Sequence, residues 1–169
     1  DLHLSIRRQR QMCIRDSITP AAEFNIFVDP EAASLIFKSG VDLVTIPLDV
    51  THKALTTPAR IEKFYKMNTK CGKFVAEMTA FFERFDKEKY GTEGAPLHDP
   101  CVIAYLLEPD IFSGKQINVE IETNSQLTLG MTVADWWGVT EKKANTLFIG
   151  DVDSDKFFDL LTKRIASLP

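Results

Sequence analysis

Cysteine is scarce in this 169-residue sequence: Cys13, Cys71 and Cys101 are odd in number and far apart. No pair has the close spacing of a zinc site or a redox couple, so the expectation is buried free thiols in a reducing compartment, with the cytoplasm as the address. An excess of positive charge is also missing. Twenty basic residues stand against 24 acidic ones, for a net charge of −4, which argues against a nucleic-acid partner. No apolar run has the length needed to span a bilayer, so no membrane partner is expected. Internal repeats and low-complexity stretches are absent as well. What remains is an ordinary composition, 44% hydrophobic and 26% charged, and a length sufficient for one compact domain with its own core.

Arginine is unevenly spread. Four of the seven arginines (Arg7, Arg8, Arg10 and Arg15) fall in residues 1–17, while the later basic residues are nearly all lysine. The head carries positive charge and the remainder is acidic. No apolar segment with a small-residue cleavage site follows, which excludes a secretory signal. Residues 1–17 therefore read as a foreign or artefactual head, and residues 18–169 as the part from which function is to be read.

After that junction the punctuation is regular. Asp29-Pro30-Glu31 gives a cap, a proline at the first helical position and an acid in the first turn, predicting a helix that stops at Gly40. Residues 41–47 predict a short strand. Thr57-Pro58 starts another helix by the same logic. Phe74, Met78, Phe81, Phe82 and Phe85 recur at helical spacing within residues 73–89, predicting a long amphipathic helix. A further helix through residues 102–107 should end before Pro109. Strands are expected at 116–123, 127–133 and 146–149, and Asp153 should cap a last helix with Phe157, Leu161, Ile165 and Leu168 on its apolar face. Strands alternating with helices and ending in an antiparallel pair predict an α/β fold with an open, mixed sheet.

Two segments carry polar residues in apolar surroundings. In Thr19-Pro20-Ala21-Ala22-Glu23-Phe24-Asn25, Glu23 and Asn25 would share one side of an extended stretch. A carboxylate beside a carboxamide can accept from and donate to vicinal hydroxyls, although the residue types alone favour a structural loop. In Leu97-His98-Asp99-Pro100-Cys101, a His-Asp pair at the mouth of an apolar helix suits metal binding or acid–base work. The same residues also fit a plain helix start, with Asp99 as cap and His98 merely exposed.

Taken together, and in this order, the two segments resemble the inosine-uridine preferring nucleoside hydrolase family. Pro47-Leu48-Asp49-Val50-Thr51-His52 and Val133-Ala134-Asp135-Trp136-Trp137 extend the resemblance over residues 18–169. The resemblance implies a Rossmann-like α/β sheet, a bound Ca²⁺ and hydrolysis of the N-glycosidic bond of ribonucleosides to ribose and free base. It further implies that Glu23 and Asn25 hold the ribose hydroxyls, that His98 protonates the departing base and that Asp99 ligates calcium. The chemistry is compatible with those roles. Ca²⁺ takes several oxygen ligands, imidazole with an ordinary pKa near ~6.5 can deliver a proton, and glycosidic cleavage passes through an oxocarbenium-like state. The Phe81, Phe82 and Phe85 rings fall where the family covers the base, with core packing as their main expected role. A homo-oligomeric parent, dimer or tetramer, is implied as well.

Departures from the pattern qualify these implications. The family's aspartate-rich motif, Asp-Thr-Asp-Pro-Gly followed by Asp-Asp, has no counterpart here. Asp151-Val152-Asp153-Ser154-Asp155 is the nearest acidic cluster and reads as a solvated helix cap. Ser17 stands where the family has an asparagine. The expectation is therefore the C-terminal half of a nucleoside hydrolase, itself inactive. A non-catalytic nucleoside- or ribose-binding module and an inert truncated product are the alternatives.

Overall fold

The protein is described by a computed structural model covering residues 18–91 and 93–168, with the backbone alone for 82–90. The arginine-bearing head and Cys13 lie outside the described residues. In chain order the elements are α1 (Phe24–Val28), α2 (Pro30–Lys38), β1 (Val44–Thr45), α3 (Leu48–Thr51), β2 (Leu55–Thr56), α4 (Pro58–Tyr65) and α5 (Lys70–Tyr90). There follow β3 (Ala95–Pro96), α6 (Asp99–Leu107), a 3₁₀ turn (Pro109–Ile111), β4 (Phe112–Ile117), β5 (Val119–Ile121), β6 (Thr132–Ala134), β7 (Thr146–Val152) and α7 (Ser154–Ala166). They fall into two compact units. One takes the chain up to Asp49 together with Gly114–Gly150, and the other takes Val50–Ser113 and the chain from Asp151 on.

In the first unit, α2 starts where its sequence says it should. The Asp29 carboxylate accepts from Ala32 N at 2.9 Å, Pro30 follows, and Ser39 closes the helix before Gly40 at φ +78°. The sheet order is β1–β7–β4, with β1 parallel to β7 through Val44–Leu147 and Thr45–Phe148. β4 runs against β7: Asn145 N donates to Ile117 O at 3.0 Å, while a Cβ on Gly114 would lie only 2.3 Å from Phe148 O. β5 and β6 pair antiparallel, Val119 opposite Ala134 and Ile121 opposite Thr132. The sheet is mixed and open, as expected. Phe37, Ile117, Val119, Ile121 and Phe148 form the core, flanked by Leu43, Ala134 and Trp136.

Asn145 ties these pieces together. Its Oδ1 accepts from Val119 N at 2.8 Å, and its Nδ2 donates to Phe37 O and to Val119 O, both at 2.9 Å. One half-buried side chain thus supplies three partners that α2 and β5 would otherwise lack.

The second unit is mostly helical. Phe64, Phe157 and Phe158 are its largest fully buried side chains. The Phe157 and Phe158 rings meet edge to face at 5.1 Å, and the Arg60 guanidinium lies 4.0 Å over Phe158. Asp153 caps α7 by accepting from Lys156 N at 3.1 Å, and this bond holds its carboxyl below the usual carboxylate range. Asp151 pairs with Lys53 and Asp155 with Arg60, each at 2.8 Å. The acidic cluster is the solvated cap expected.

Several sequence expectations need correction. The strand predicted over 41–47 shrinks to Val44–Thr45, and that over 127–133 to Thr132–Ala134. The Ser125 hydroxyl accepts from Leu127 N and Thr128 N, bending the chain at the start of the expected 127–133 strand. The strand expected over 116–123 divides into β4 and β5 around Asn118. On α7, Leu160 is buried in place of Leu161, and Leu168 is exposed. The largest departure is α5. Phe74, Met78 and Phe81 are exposed, while Gly72, Ala76 and Thr79 form the buried side. A Cβ on Gly72 would sit 2.7 Å from Phe64 O, so close helix approach selects the small-residue face over the bulky one. The side chains of Phe82 and Phe85 lie outside the described residues.

Asn145→Ala should destabilise the fold by about 1–3 kcal/mol, the usual cost of stranding buried backbone partners. Urea unfolding followed by circular dichroism measures it. An unchanged midpoint would show that water replaces the amide at no cost.

Candidate functional site

The first polar cluster is built by a turn. Thr19 Oγ1 accepts from Ala21 N at 3.1 Å and from Ala22 N at 2.8 Å, delivering the chain into α1. Ala22 is fully buried against Gly130, whose φ of +79° and lack of a Cβ let Phe27 and Ala22 approach. Glu23 then acts as N-cap: its Oε2 accepts from Asn25 N at 2.8 Å, and Asn25 Nδ2 lies 3.4 Å from Oε1. The two side chains do come together, but through a helix start and not the extended stretch anticipated. Asn25 is exposed and Glu23 half-exposed. A carboxylate acceptor next to an amide that both donates and accepts is chemically suited to a vicinal diol. A cleft of about 630 Å³ in this unit lies elsewhere, along Gly40–Val44 and Lys143–Leu147.

Asp135 of the Val133–Trp137 segment holds a turn. It accepts from Thr140 Oγ1 at 2.6 Å, from Thr140 N at 2.8 Å and from Val139 N at 2.8 Å, and these bonds, the Thr140 hydroxyl foremost, hold its carboxyl below the usual range.

The second cluster belongs to the other unit. α6 begins at Asp99 with His98 as its N-cap residue and Pro100 in the first turn, so the helix-start reading was one residue out: Asp99 is the first helical residue and not the cap. His98 and Asp99 are both exposed. The His98 ring is engaged, however. Thr51 Oγ1 lies 2.8 Å from its Nδ1, and the His52 ring stands 5.6 Å away at 58°. His52 itself is buried, 4% exposed.

Distant segments meet here because β2 pairs with β3. Leu55 faces Pro96 and Thr56 faces Ala95, with Leu97 N donating to Ala54 O at 3.0 Å. A Cβ on Gly94 would lie 2.5 Å from Thr56 O, so only glycine permits the approach. The turn after α3, closed by Ala54 N donating to Thr51 O, then lies alongside Leu97–Asp99. Sequence reasoning placed Thr51 in a family motif without giving it a role. Its spacing of 47 residues from His98 left no signal to read.

For calcium, Asp99 offers a hard oxygen donor. Among the described residues no group of three or more His, Cys, Asp or Glu stands close enough to hold a metal. Asp99 could supply one of the about 6–8 oxygens that the ion takes. Among the described residues, too, no helix is long and apolar enough to cross a membrane.

The first unit thus carries a mixed sheet and the Glu23–Asn25 pair at a helix start, and the second carries His98 and Asp99 at another. The model of the inosine-uridine preferring nucleoside hydrolases matches residues 12–159, and the chain belongs to that family. The match takes in residues 12–17 of the arginine-bearing head. A pyrimidine-specific ribonucleoside hydrolase, RihA, of Klebsiella pneumoniae strain 342 is 50% identical over 148 residues, covering 87% of this chain and 48% of that protein. An uncharacterized protein of Schizosaccharomyces pombe is 46% identical over 153 residues, covering 90% and 49%. Among solved structures, a purine-preferring ribonucleoside hydrolase from Gardnerella vaginalis superposes with TM-score 0.79 at 30% identity, covering 90% of this chain and 48% of its own. The chain spans about half the length of the curated relatives it matches.

Cys101, three residues after His98, is fully buried and its thiol donates to Leu97 O at 3.0 Å. Burial pushes this thiol up to about 12. At about pH 8 it should stay unreactive toward a disulfide reagent in the folded chain and react only on denaturation, because the thiolate is the nucleophile. Stoichiometric labelling of Cys101 in native protein, read by mass spectrometry, would contradict that.

Proposed function

We propose that the protein serves in hydrolysis of the N-glycosidic bond of ribonucleosides, giving ribose and free base. The observation that carries the proposal is the combination of family membership with two paired polar side chains, Glu23 with Asn25 and His98 with Asp99, each seated at a helix start. Glu23 accepts from ribose hydroxyls, and Asn25 both donates and accepts there. His98, as the imidazolium, gives a proton to the departing base as the bond to C1′ breaks; water supplies the hydroxyl that C1′ gains, and the proton it releases passes to solvent, from which the ring is reprotonated. Asp99 would contribute one oxygen ligand to a calcium ion, which would supply a Lewis-acid site for the ribose hydroxyls and water.

The RihA relatives are named pyrimidine-specific, so uridine and cytidine are the first substrates to try, with inosine as the purine comparison. A cytoplasmic location and a dimeric or tetrameric parent complete the proposal. Residues 1–17 are proposed as a head without part in the chemistry.

This chain alone should show negligible turnover of uridine with or without added calcium, because Asp99 cannot hold the ion unaided. Turnover near ~1–10³ s⁻¹, the common enzyme range, would overturn that expectation. Binding of ribose without turnover would favour a binding module.

In a protein of family length carrying this sequence, His98→Ala should lower turnover by roughly 10²–10⁴-fold, the usual size of a lost general acid. A nucleoside with a very good leaving group needs little protonation and should largely rescue it. Asp99→Ala should stay defective on that substrate, and Glu23→Ala or Asn25→Ala should mainly raise KM. If the activated substrate fails to separate His98→Ala from Asp99→Ala, His98 is not the acid.

A further inference from the structure

His98 stands exposed at the N-cap of α6, where an imidazole would ordinarily sample several rotamers and both neutral tautomers. Two features restrain it. Thr51 is only 3% exposed, and its Oγ1 lies 2.8 Å from His98 Nδ1. The ring of His52, also buried, stands 5.6 Å from the His98 ring and tilted by 58°. Both come from one turn, which is fixed by Lys53 N donating to Val50 O at 2.9 Å and Ala54 N donating to Thr51 O at 3.0 Å. That turn is held beside His98 by the β2–β3 ladder.

We propose that Thr51 is a positioning residue: its hydroxyl donates to Nδ1 of the neutral His98 ring, accepts from Nδ1–H when the ring is protonated, and with the His52 ring fixes the imidazole in one orientation with Nε2–H free for the base. This rests on the acid role proposed for His98. A proton donor acts on a departing base only if its N–H points at the leaving nitrogen, and a misplacement of ~1 Å can cost about 10²-fold in rate. An exposed histidine gains such precision only from a partner that is itself rigid. A buried threonine at a helix end, with one stiff χ1, provides that. The identity of the ring nitrogen that carries the proton is set by the bond the other nitrogen makes. Nδ1 is the anchored nitrogen, so Nε2 is the one assigned to the base.

The test is a long-range ¹H–¹⁵N correlation spectrum of the histidine rings in the full chain at about pH 8.5, above the ordinary imidazole pKa of ~6.5. The His98 signals are identified as those lost in His98→Asn. The expected wild-type pattern is a single tautomer, with Nδ1 at the acceptor-type shift and Nε2 at the protonated one. Thr51→Val removes the hydroxyl while keeping the shape, and should move both nitrogens toward tautomer-averaged shifts. Thr51→Ser keeps the hydroxyl and should retain the wild-type pattern. A proton on Nδ1 in the wild type, averaged tautomers there, or a Thr51→Val spectrum identical to wild type would each overturn the proposal. Should Thr51→Val not fold by its amide spectrum, the wild-type and Thr51→Ser spectra decide the matter. The readout needs no turnover. A loss of the acid role in the leaving-group test is therefore distinguishable from a loss of the anchor.

Discussion

Everything polar at the mouth of α6 depends on a ladder of two residue pairs. Leu55–Pro96 and Thr56–Ala95 are a minimal sheet, and Pro96 can donate nothing to it. Leu97 N to Ala54 O extends the pairing by one bond, and Thr56 Oγ1 donating to Ala95 O adds another. The absence of a Cβ at Gly94 is what lets the two chains come this close. Because the ladder is short, its register has no slack. A one-residue slip would carry Thr51 and His52 away from His98 and turn each side chain to the opposite face. The candidate acid is thus aimed by a piece of backbone that is itself too short to be stable without the helices around it.

A similar economy operates in the first unit, where one amide side chain stands in for missing sheet. β5 is three residues long and α2 ends beside it. Asn145 supplies an acceptor for Val119 N and donors for Val119 O and Phe37 O. The residue precedes β7, the central strand of the three-stranded sheet, so the core cluster of Phe37, Val119 and Phe148 is pinned at a point where its elements converge. The Glu23–Asn25 pair sits at the start of α1, a five-residue helix with no buried residue of its own. Its position is owed to the Thr19 turn and to the close approach of Gly130, not to propensity.

The exposed apolar faces follow from the same competition between small and large residues. On α5 the side carrying Gly72, Ala76 and Thr79 is buried and the side carrying Phe74, Met78 and Phe81 is not. On α6, Cys101 and Ala104 are buried while Val102, Ile103 and Leu106 are exposed. Helices that pack closely do so on small residues, so a reading based on hydrophobic periodicity assigns the core of α5 to the wrong face.

By itself, the sequence determined whatever is local. Asp29-Pro30 and Asp153 set their helix starts through side-chain bonds reaching two or three residues ahead, and those need no tertiary partner. The order of strands and helices, the antiparallel pair near residues 119–134, and the candidate residues Glu23, Asn25, His98 and Asp99 were legible in the same way, the last four through a family pattern. Only the tertiary structure decided the rest. Strand lengths at Val44–Thr45 and Thr132–Ala134 were set by where partners run out, not by the apolar run. The conformation at Glu23, a helix cap in place of an extended stretch, was set by what packs behind Ala22. The pairing of Thr51 with His98 had no trace in the sequence, because hydrogen bonds between residues 47 apart are made by chain topology, and topology is an outcome of packing.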